Sequence, residues 1–323
     1  MDLIYTNAQR VDLGVLQAYT LDLSFGADDG ENNFELVLGK SEPALEDGAI
    51  IYIEGTEYGG IVGGMKSNST EEIRTSTGRT WHGVLNSKII EPDPGADYLT
   101  IIGDANECLA LMVDRLGLSA LFVAETAPSG ITINNYKFAR YVKGYDGLMA
   151  MLESAGAKLK MVWSDALVKL YAEPVVDYTD APIDSDEAVL KVERYGDKVN
   201  HLICLGSGEL AARQVVHLFV DQFGRISNTQ HYVGLDEITE IYDYSNAESL
   251  EDLRTGGEAR LRELRSNDKV EVLVDDGAAL EYDVGDIIGG SDTYSGNTAK
   301  ATITKKIVRI DNGAVSIDYK TRR

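Results

Sequence analysis

The stretch Thr302-Ile-Thr-Lys-Lys-Ile-Val-Arg-Ile-Asp-Asn-Gly-Ala-Val-Ser-Ile-Asp-Tyr-Lys320 predicts a β-hairpin near the end of the chain. Asp311-Asn312-Gly313 forms its corner, because these residue types accept a positive φ angle at little steric cost. Apolar and polar residues alternate along both arms, which is the pattern of half-buried strands. A segment that closes on a sheet edge and carries no catalytic residue is typical of an assembly module.

A helix is predicted upstream of this hairpin. Leu250, Leu253, Leu261 and Leu264 fall on one helical face. Glycine inside a helix costs roughly 1 kcal/mol relative to alanine, so we expect a bend or a break at Gly256-Gly257. We therefore predict a last domain, residues 247–323, built from a helix and a C-terminal β-barrel-like segment.

The first ninety residues have a β pattern. Tyr19–Phe25 and Asn33–Leu38 alternate, and turn residues such as Asp28-Asp29-Gly30 and Gly63-Gly64 separate such runs. Turns at intervals of about ten to twenty residues are typical of a small barrel or sandwich. The sequence therefore predicts an N-terminal β-barrel-like domain over residues 1–92.

Two linkers divide the middle of the chain. Glu91-Pro-Asp-Pro-Gly95 cannot continue a strand ladder, and Asp180–Glu187 is polar and contains a proline. Between them, Asp104 or Asn106 and then Asp146 are positioned to cap two helices, which precede two strands. We predict an α/β domain over residues 96–178 and a β-rich domain over residues 183–246.

The composition is that of a protein with more than one core. A chain of 323 residues favours two to four domains, and 44% hydrophobic with 26% charged residues is ordinary for a globular protein. The sequence has no apolar run near the roughly 20 residues of a membrane helix and no secretory signal at its start, so we expect no membrane insertion and synthesis in a cytoplasm. Cys108 and Cys204 both read as buried, small hydrophobic residues.

The charge is strongly negative and uneven. The net charge is −23, and residues 1–60 hold twelve acidic residues against Arg10 and Lys40. Such a surface repels phosphate, so tight binding of nucleic acid is not expected, and the wall of a conduit that must not retain DNA is one use for it. A solvated acidic surface that keeps the protein soluble is the alternative, and both interpretations stay open.

The strongest enzymatic signal is Gly206-Ser-Gly-Glu-Leu-Ala211, which follows an apolar run as a dinucleotide fingerprint would. The acidic residue nearest the required position is Asp221, and the run that follows the motif suits a strand as well as a helix. We therefore favour a hairpin with a glycine corner. An enzyme that binds a nucleotide through Gly206–Ala211 is the alternative.

Other reactive constellations are not apparent in the sequence. His82, His201, His217 and His231 lack the spacing of a metal motif, and the sequence contains neither a nucleophile elbow nor a P-loop. Asp28–Asn33 lacks the distal glutamate of an EF-hand, so a turn explains it better. We expect no catalytic residue, no metal and no cofactor.

Several segments share one resemblance. They are Asn32–Leu38, Gly78–Ile90, Asn200–Arg213, and Tyr282–Ile288 with the strand Ile303–Ile310 that follows it. In chain order they resemble the phage and prophage tail hub family, the tail-associated and baseplate-hub-like proteins of long-tailed bacteriophages. Trp81-His82 departs from the aliphatic pair more usual in that family. The third segment is similar to a hairpin of the family, which also argues against a dinucleotide site.

The resemblance implies a fold and a role. The fold is α+β and multidomain, with two β-barrel-like domains that line a channel and two small α/β domains outside. The role is structural and not enzymatic: a homotrimeric ring in the virion tail, assembled in the host cytoplasm, that contacts distal tail and tail-tip proteins and lets DNA pass without specific binding. Because a ring around DNA should be acidic inside, we expect Asp22, Glu35, Glu54 and Glu57 to face the lumen.

Two further alternatives remain beside this interpretation. Relatives in the family often carry an additional peptidoglycan hydrolase, so a cell-wall hydrolase is one alternative, although we expect no such activity here. A monomeric, adhesin-like β protein is the other.

Overall fold

The structure, a computed structural model, contains more strand than helix. It describes residues 1–26, 32–68, 70, 72–180, 183–184, 189–193, 198–222, 224–247, 249–265, 269–274, 282–292, 297–311 and 313–322. The turn predicted at Asp28–Gly30, Asn312 of the hairpin corner and most of the Asp180–Glu187 linker lie outside these residues.

Strands and helices are numbered in chain order. The strands are β1 (Leu3–Thr6), β2 (Asp12–Leu16), β3 (Tyr19–Gly26), β4 (Asn33–Gly39), β5 (Ile50–Tyr52), β6 (Gly59–Asn68), β7 (Ile73–Thr80), β8 (Ile89–Ile90), β9 (Thr100–Asp104), β10 (Phe122–Ala124), β11 (Thr132–Lys137), β12 (Val142–Lys143), β13 (Ala157–Ser164), β14 (Leu167–Pro174), β15 (Ile183–Asp184), β16 (Val189–Glu193), β17 (His201–Leu205), β18 (Val215–Val220), β19 (Ile226–Ser227), β20 (Thr239–Asp243), β21 (Lys269–Val274), β22 (Ile287–Asp292), β23 (Asn297–Asp311) and β24 (Ala314–Arg322). The helices are α1 (Trp81–Asn86), α2 (Ala105–Arg115), α3 (Gly144–Glu153) and α4 (Leu250–Arg265).

The chain divides into two units. Unit 1 contains residues 1–191 and 270–321, and unit 2 contains residues 192–269 and 322–323. Unit 1 thus combines the first two domains expected from the sequence with the C-terminal strands. Unit 2 combines most of the expected third domain with helix α4.

The largest sheet described in unit 1 has 13 strands, with the path β16-β21-β24-β23-β3-β4-β7-β6-β5-β1-β2 and with β15 and β22 beside it. The C-terminal hairpin joins this sheet, because β23 pairs antiparallel with β3 and places Val308 opposite Leu23. On β3, buried Leu21, Leu23 and Phe25 alternate with partly exposed residues, so one face of the strand lies on the core.

The sheet differs from the predicted pair of β-barrel-like domains. Among the described residues its strands form an open path from β16 to β2, and none of the described sheets closes on itself. The physical reason is that β23 satisfies the backbone groups of β3 that a separate N-terminal barrel would have paired within itself. The two ends of the chain therefore share one sheet.

The α/β part of unit 1 contains the sheet β10-β14-β13 and helices α2 and α3. As predicted, Asp104 caps α2, accepting a hydrogen bond of 2.9 Å from the backbone N–H of Asn106. Helix α3 begins earlier than predicted, at Gly144, so that Asp146 lies in its first turn and does not cap it. There its charge still complements the helix dipole.

An aromatic stack joins α1 to the α/β part. Trp81, which is fully buried, stacks on Trp163 of β13 with ring centroids 5.1 Å apart, and Tyr52 also stacks on Trp163, at 4.5 Å. Backbone hydrogen bonds from Gly55 to Trp163 and from Trp163 to Thr56 fix the same contact. This packing gives the unusual Trp81 a structural role.

Unit 2 is a sheet covered on one side by a helix. Its strand order is β19-β18-β17-β20, and α4 packs on β17 and β18. Leu202, Cys204 and Leu218 point toward α4, whose Leu253 and Leu261 are fully buried. We expected a bend or a break at Gly256-Gly257; the helix does not break there, since α4 is continuous from Leu250 to Arg265.

Close packing explains the second glycine of this pair. A Cβ at Gly257 would press into Cys204 Sγ, whereas a Cβ at Gly256 would meet the Tyr244 ring at 3.2 Å and the Tyr242 hydroxyl at 3.4 Å. We therefore expect Gly257→Ala to destabilise unit 2 by about 1–2 kcal/mol, because overpacking outweighs the gain in helix propensity. Hydrogen exchange of the β17 amides measures this. Gly256→Ala is the matched control, expected within about 1 kcal/mol of the parent; equal effects of the two substitutions would contradict the packing argument.

Candidate functional site

Asp22 and Glu35 are neighbours on the exposed face of the large sheet. They lie directly opposite each other in the β3–β4 ladder, and Thr77 of β7 lies opposite Glu35 in the β4–β7 ladder. Both carboxylates line a shallow groove of about 190 Å³ together with Ser24 and Asn33. Like charges opposite each other destabilise a sheet, so an open, solvated surface is the setting that tolerates this pair.

A cation accompanies the pair. Arg309 of β23 lies opposite Asp22, with its Nη1 3.9 Å from Asp22 Oδ1, and both side chains are well exposed. At such exposure and distance the attraction is weak. Apart from Asp22 and Glu35, the residues that line the groove are uncharged, so the charge of its lining is negative.

Glu54 and Glu57 lie apart from that groove, in the connection between β5 and β6. Glu54 is exposed in the turn. Glu57 accepts a hydrogen bond of 2.9 Å from Lys306 Nζ, and its side chain is only 16% exposed. The structure thus brings together two of the four predicted channel-lining residues and places the charge of Glu57 against a buried lysine.

Lys306 is the centre of a buried polar cluster. Its side chain is 5% exposed, and its Nζ lies 5.5 Å from the ring centroid of Tyr58. Burial works against the ammonium, yet Glu57 and the neighbouring tyrosines raise the pKa of Lys306. Burial also raises the pKa of Tyr58, to about 12. The cluster holds a buried charge pair, so removing either partner would leave the other charge unpaired.

The Gly206–Ala211 motif is a hairpin, as favoured from the sequence. Strands β17 and β18 pair antiparallel, with Leu205 opposite Val215, and Gly208 has a φ angle of +100°. A short 3-10 turn, Leu210–Ala212, follows where a dinucleotide fold would have a full helix. The connection therefore lacks the helix N-terminus that would hold a pyrophosphate.

Two histidines meet on this hairpin. His201 Nε2 lies 2.8 Å from His217 Nδ1, and His201 Nδ1 lies 2.7 Å from Glu237 Oε1. When both rings are neutral, His201 donates to the carboxylate and accepts from His217. The spacing of the two histidines along the chain does not reveal this pair, but the register of the hairpin does. His201 is paired with Phe219 and His217 with Ile203, so the two histidines are diagonal neighbours on one side of the sheet.

Neither a metal-binding cluster nor an exposed thiol is found among the described residues. No group of three or more His, Cys, Asp or Glu in the described part of the chain is arranged to hold a metal ion. Both cysteines are buried, and burial raises the pKa of Cys204 to about 11, so its thiol is unreactive. Among the described residues, no helix is long and apolar enough to cross a membrane.

Comparison with solved structures identifies the fold. A tail protein from Neisseria meningitidis MC58 is 12% identical with a TM-score of 0.57, and the match covers 100% of this chain and 96% of that one. The 43 kDa tail protein of prophage MuSo2 from Shewanella oneidensis is 11% identical with a TM-score of 0.60, covering 99% and 98%. Prophage tail protein gp18 from Listeria monocytogenes EGD-e is 12% identical with a TM-score of 0.55, covering 99% and 94%.

The sequence alone gives no such match, since it fits no family model and resembles no curated protein. Identities near one in eight mean that the likeness lies in the arrangement of elements and not in particular side chains. The likeness to tail proteins inferred from the sequence motifs is therefore confirmed for the fold. Over its whole length, the chain has the fold of phage and prophage tail proteins.

Proposed function

We propose that this chain is a structural component of a phage or prophage tail tip or baseplate hub. Three copies form a ring that continues the tail tube, contacts distal tail and tail-tip proteins, and permits DNA passage. The observation that carries the proposal is the end-to-end likeness to three tail proteins, each matched over at least 94% of its own length. The role is structural, and the site of action is the virion tail after assembly in the host cytoplasm.

The charge distribution supports a conduit. Asp22 and Glu35 form an open negative groove, and the chain as a whole carries a charge of −23. A wall of this sign repels the DNA backbone, so the polymer slides without being held. In the proposed ring, Asp22, Glu35 and Glu54 face the lumen. Glu57 contributes less, because it is paired with Lys306.

Electron microscopy of tail particles and of the purified chain tests the proposal. The expected result is a ring with a central hole, containing three copies by mass, at the tip of the tail. A chain that is missing from the particles, or one that binds NAD or ATP firmly or lyses cell walls, would overturn the proposal in favour of an enzyme.

Reversing the charge of the groove gives a more specific expectation. The double variant with Asp22→Lys and Glu35→Lys should bind duplex DNA more tightly than the parent, and this binding should weaken as the salt concentration rises. We expect the double variant to bind at least about tenfold more tightly than the parent at low salt. Electrophoretic mobility shift measures the binding.

The matched control reverses two exposed helical carboxylates, with Asp114→Lys and Glu153→Lys. If the groove lines the lumen, only the groove variant should also impair DNA delivery by assembled particles. Equal impairment by both variants would argue that net charge, and not the position of Asp22 and Glu35, is what matters.

A further inference from the structure

One face of the unit 2 sheet carries several apolar side chains and has no helix packed on it among the described residues. Helix α4 packs on the side of the sheet that carries Leu202, Cys204 and Leu218, and the opposite side is formed by alternate residues of the same strands. We call this side the open face; its apolar members are Ile203, Leu205, Val215, Phe219 and Ile241. Ile241 is 64% exposed in the edge strand β20. These five side chains share the face with His201, His217, Thr239 and Asp243. Apolar side chains grouped on an open sheet face mark an interaction surface.

The turns of unit 2 support the same interpretation. Leu210 is 94% exposed and has a φ angle of +50°, an unfavourable conformation for a leucine. Leu235, in the 3-10 turn before β20, is completely exposed. Large apolar side chains held fully in water at turns are typical of residues that insert into a partner.

The border of the open face is acidic. The turn before β20 and the strand itself carry Asp236, Glu237, Glu240 and Asp243 and contain no basic residue. Arg213 pairs with Asp243 at 2.6 Å, while Asp236 and Glu240 are exposed. Two open faces brought together would oppose their carboxylates, so a symmetric contact between copies is disfavoured.

A complementary surface lies in unit 1. Residues 127–145 contain no acidic residue and include Lys137, Arg140 and Lys143, all exposed, in a protein of net charge −23. Lys137 lies over the Tyr98 ring at 6.0 Å and Arg140 over the Tyr141 ring at 5.6 Å. Tyr141 is 60% exposed. We call these five residues the basic surface; exposed tyrosines and an arginine are the residue types enriched in protein interfaces.

We propose that the open face of one copy binds the basic surface of a second copy of this chain. The contact is apolar at its centre and opposite in charge at its border, which is the match that specific interfaces show. It joins different surfaces head to tail, and a head-to-tail contact produces a ring when the rotation closes. The inference rests on the proposed ring and names the two surfaces that build it.

Disulfide trapping tests the pairing. Cys108 and Cys204 are buried, so cysteines introduced by substitution would be the exposed thiols among the described residues. Tyr141→Cys and Ile241→Cys are made in separate chains, which are mixed and oxidised. The expected result is a linked dimer only in the mixture. The control mixture combines Met65→Cys, at an exposed residue outside both surfaces, with Ile241→Cys. We expect no linked dimer in this mixture.

Charge reversal provides the second measurement. Lys137→Glu with Arg140→Glu should lower the linked yield by about tenfold, since like charges then oppose each other at the border. Asp236→Lys with Glu240→Lys in the other chain should restore it. A bond of Ile241→Cys to itself, or no linkage in the mixture, overturns the inference.

The failure of this inference is distinguishable from failure of the proposed function. Rings seen by electron microscopy whose subunits do not link through these positions leave the function standing and remove the inference. Linkage to a different tail protein in assembled particles also overturns it, because the occupant would then not be a second copy.

Discussion

Replacing Lys158 by methionine should lower the free energy of unfolding by about 3–5 kcal/mol, because buried carboxylates then lose the cation that neutralises them. Lys158 Nζ lies 2.8 Å from Asp286 Oδ2 and 2.7 Å from Asp283 Oδ2. The lysine is 3% exposed, and Asp286 is fully buried. Burial alone would lower the pKa of Lys158. Hydrogen bonds to both carboxylates outweigh burial and raise this pKa, so the ammonium stays charged. Urea unfolding followed by tryptophan fluorescence measures the loss, since Trp81 and Trp163 both lie in unit 1.

The position of this ion cluster explains the size of the effect. Lys158 belongs to β13, whereas Asp283 and Asp286 precede β22, more than a hundred residues later. Asp286 also accepts backbone hydrogen bonds from Val176 and Asp283. Removing the cation therefore leaves a desolvated charge at a junction of three chain segments, and burial forbids water from replacing the lysine.

Lys160→Met is the matched control. Lys160 Nζ bonds Asp283 alone, at 2.7 Å, and the side chain is 25% exposed. Water can solvate what remains, so we expect a loss of about 1 kcal/mol or less. If both substitutions lowered the free energy of unfolding by similar amounts, burial of the Lys158–Asp286 pair would not be the cause of the effect at Lys158.

The local elements of this fold were predictable, because they depend on neighbours in the chain. The cap at Asp104, the hairpin after Gly206 and the terminal hairpin of β23 and β24 all follow from residue type and alternation. The start of α3 was predicted three residues late, because an acidic residue in a first turn and a capping residue have the same sequence signature.

The long-range arrangement was not predictable from the same signals. Pairing of β23 with β3 brings together residues nearly three hundred positions apart, and alternation reports that a strand has a buried face but not which strand lies beside it. The continuous helix through Gly257 is a similar case. Helix propensity favours a break, whereas contact with Cys204, invisible in the sequence, requires a residue without a side chain.

The candidate site was predictable only in part, for the same reason. Acidic composition indicated a negative surface. Asp22 and Glu35 do line one groove, and their place in a lumen stays a prediction. The partner of Glu57 could not be inferred, because Lys306 lies 249 residues away in sequence. His201 and His217 were judged by spacing along the chain, while the distance that matters is the one across the hairpin.

Lowering the pH from near 7 to near 4 should cost the folded protein about 3 kcal/mol through His82 alone. Its ring stacks on Phe25 with centroids 4.3 Å apart and meets Tyr145 edge-on. Its side chain is 4% exposed, and Nε2 is 3.8 Å from the Glu57 carboxylate, beyond hydrogen-bonding distance. Burial lowers the pKa of His82 to about 4, with Glu57 opposing the shift and Lys306 adding to it.

The sign of the effect follows from proton binding. The unfolded chain takes up a proton at His82 near the ordinary value of about 6.5, whereas the folded chain does so only near 4. Between these values the unfolded state binds more protons, so stability is complete above about 6.5 and is lost as the pH falls toward 4. Acid thus favours opening of the packing around α1.

His82→Phe isolates this contribution. Phenylalanine keeps a ring to stack on Phe25 and does not titrate, so the variant should lose about 3 kcal/mol less than the parent over the same pH range, measured by urea unfolding at both ends. Other groups titrate equally in both proteins and cancel. His231→Asn, at an exposed histidine, should retain the full loss of the parent. If the free energy of unfolding changed with pH in the same way for the parent and for His82→Phe, His82 would be solvated enough to be charged in the folded protein. The packing of α1 against Phe25 and Tyr145 would then be looser than these contacts require.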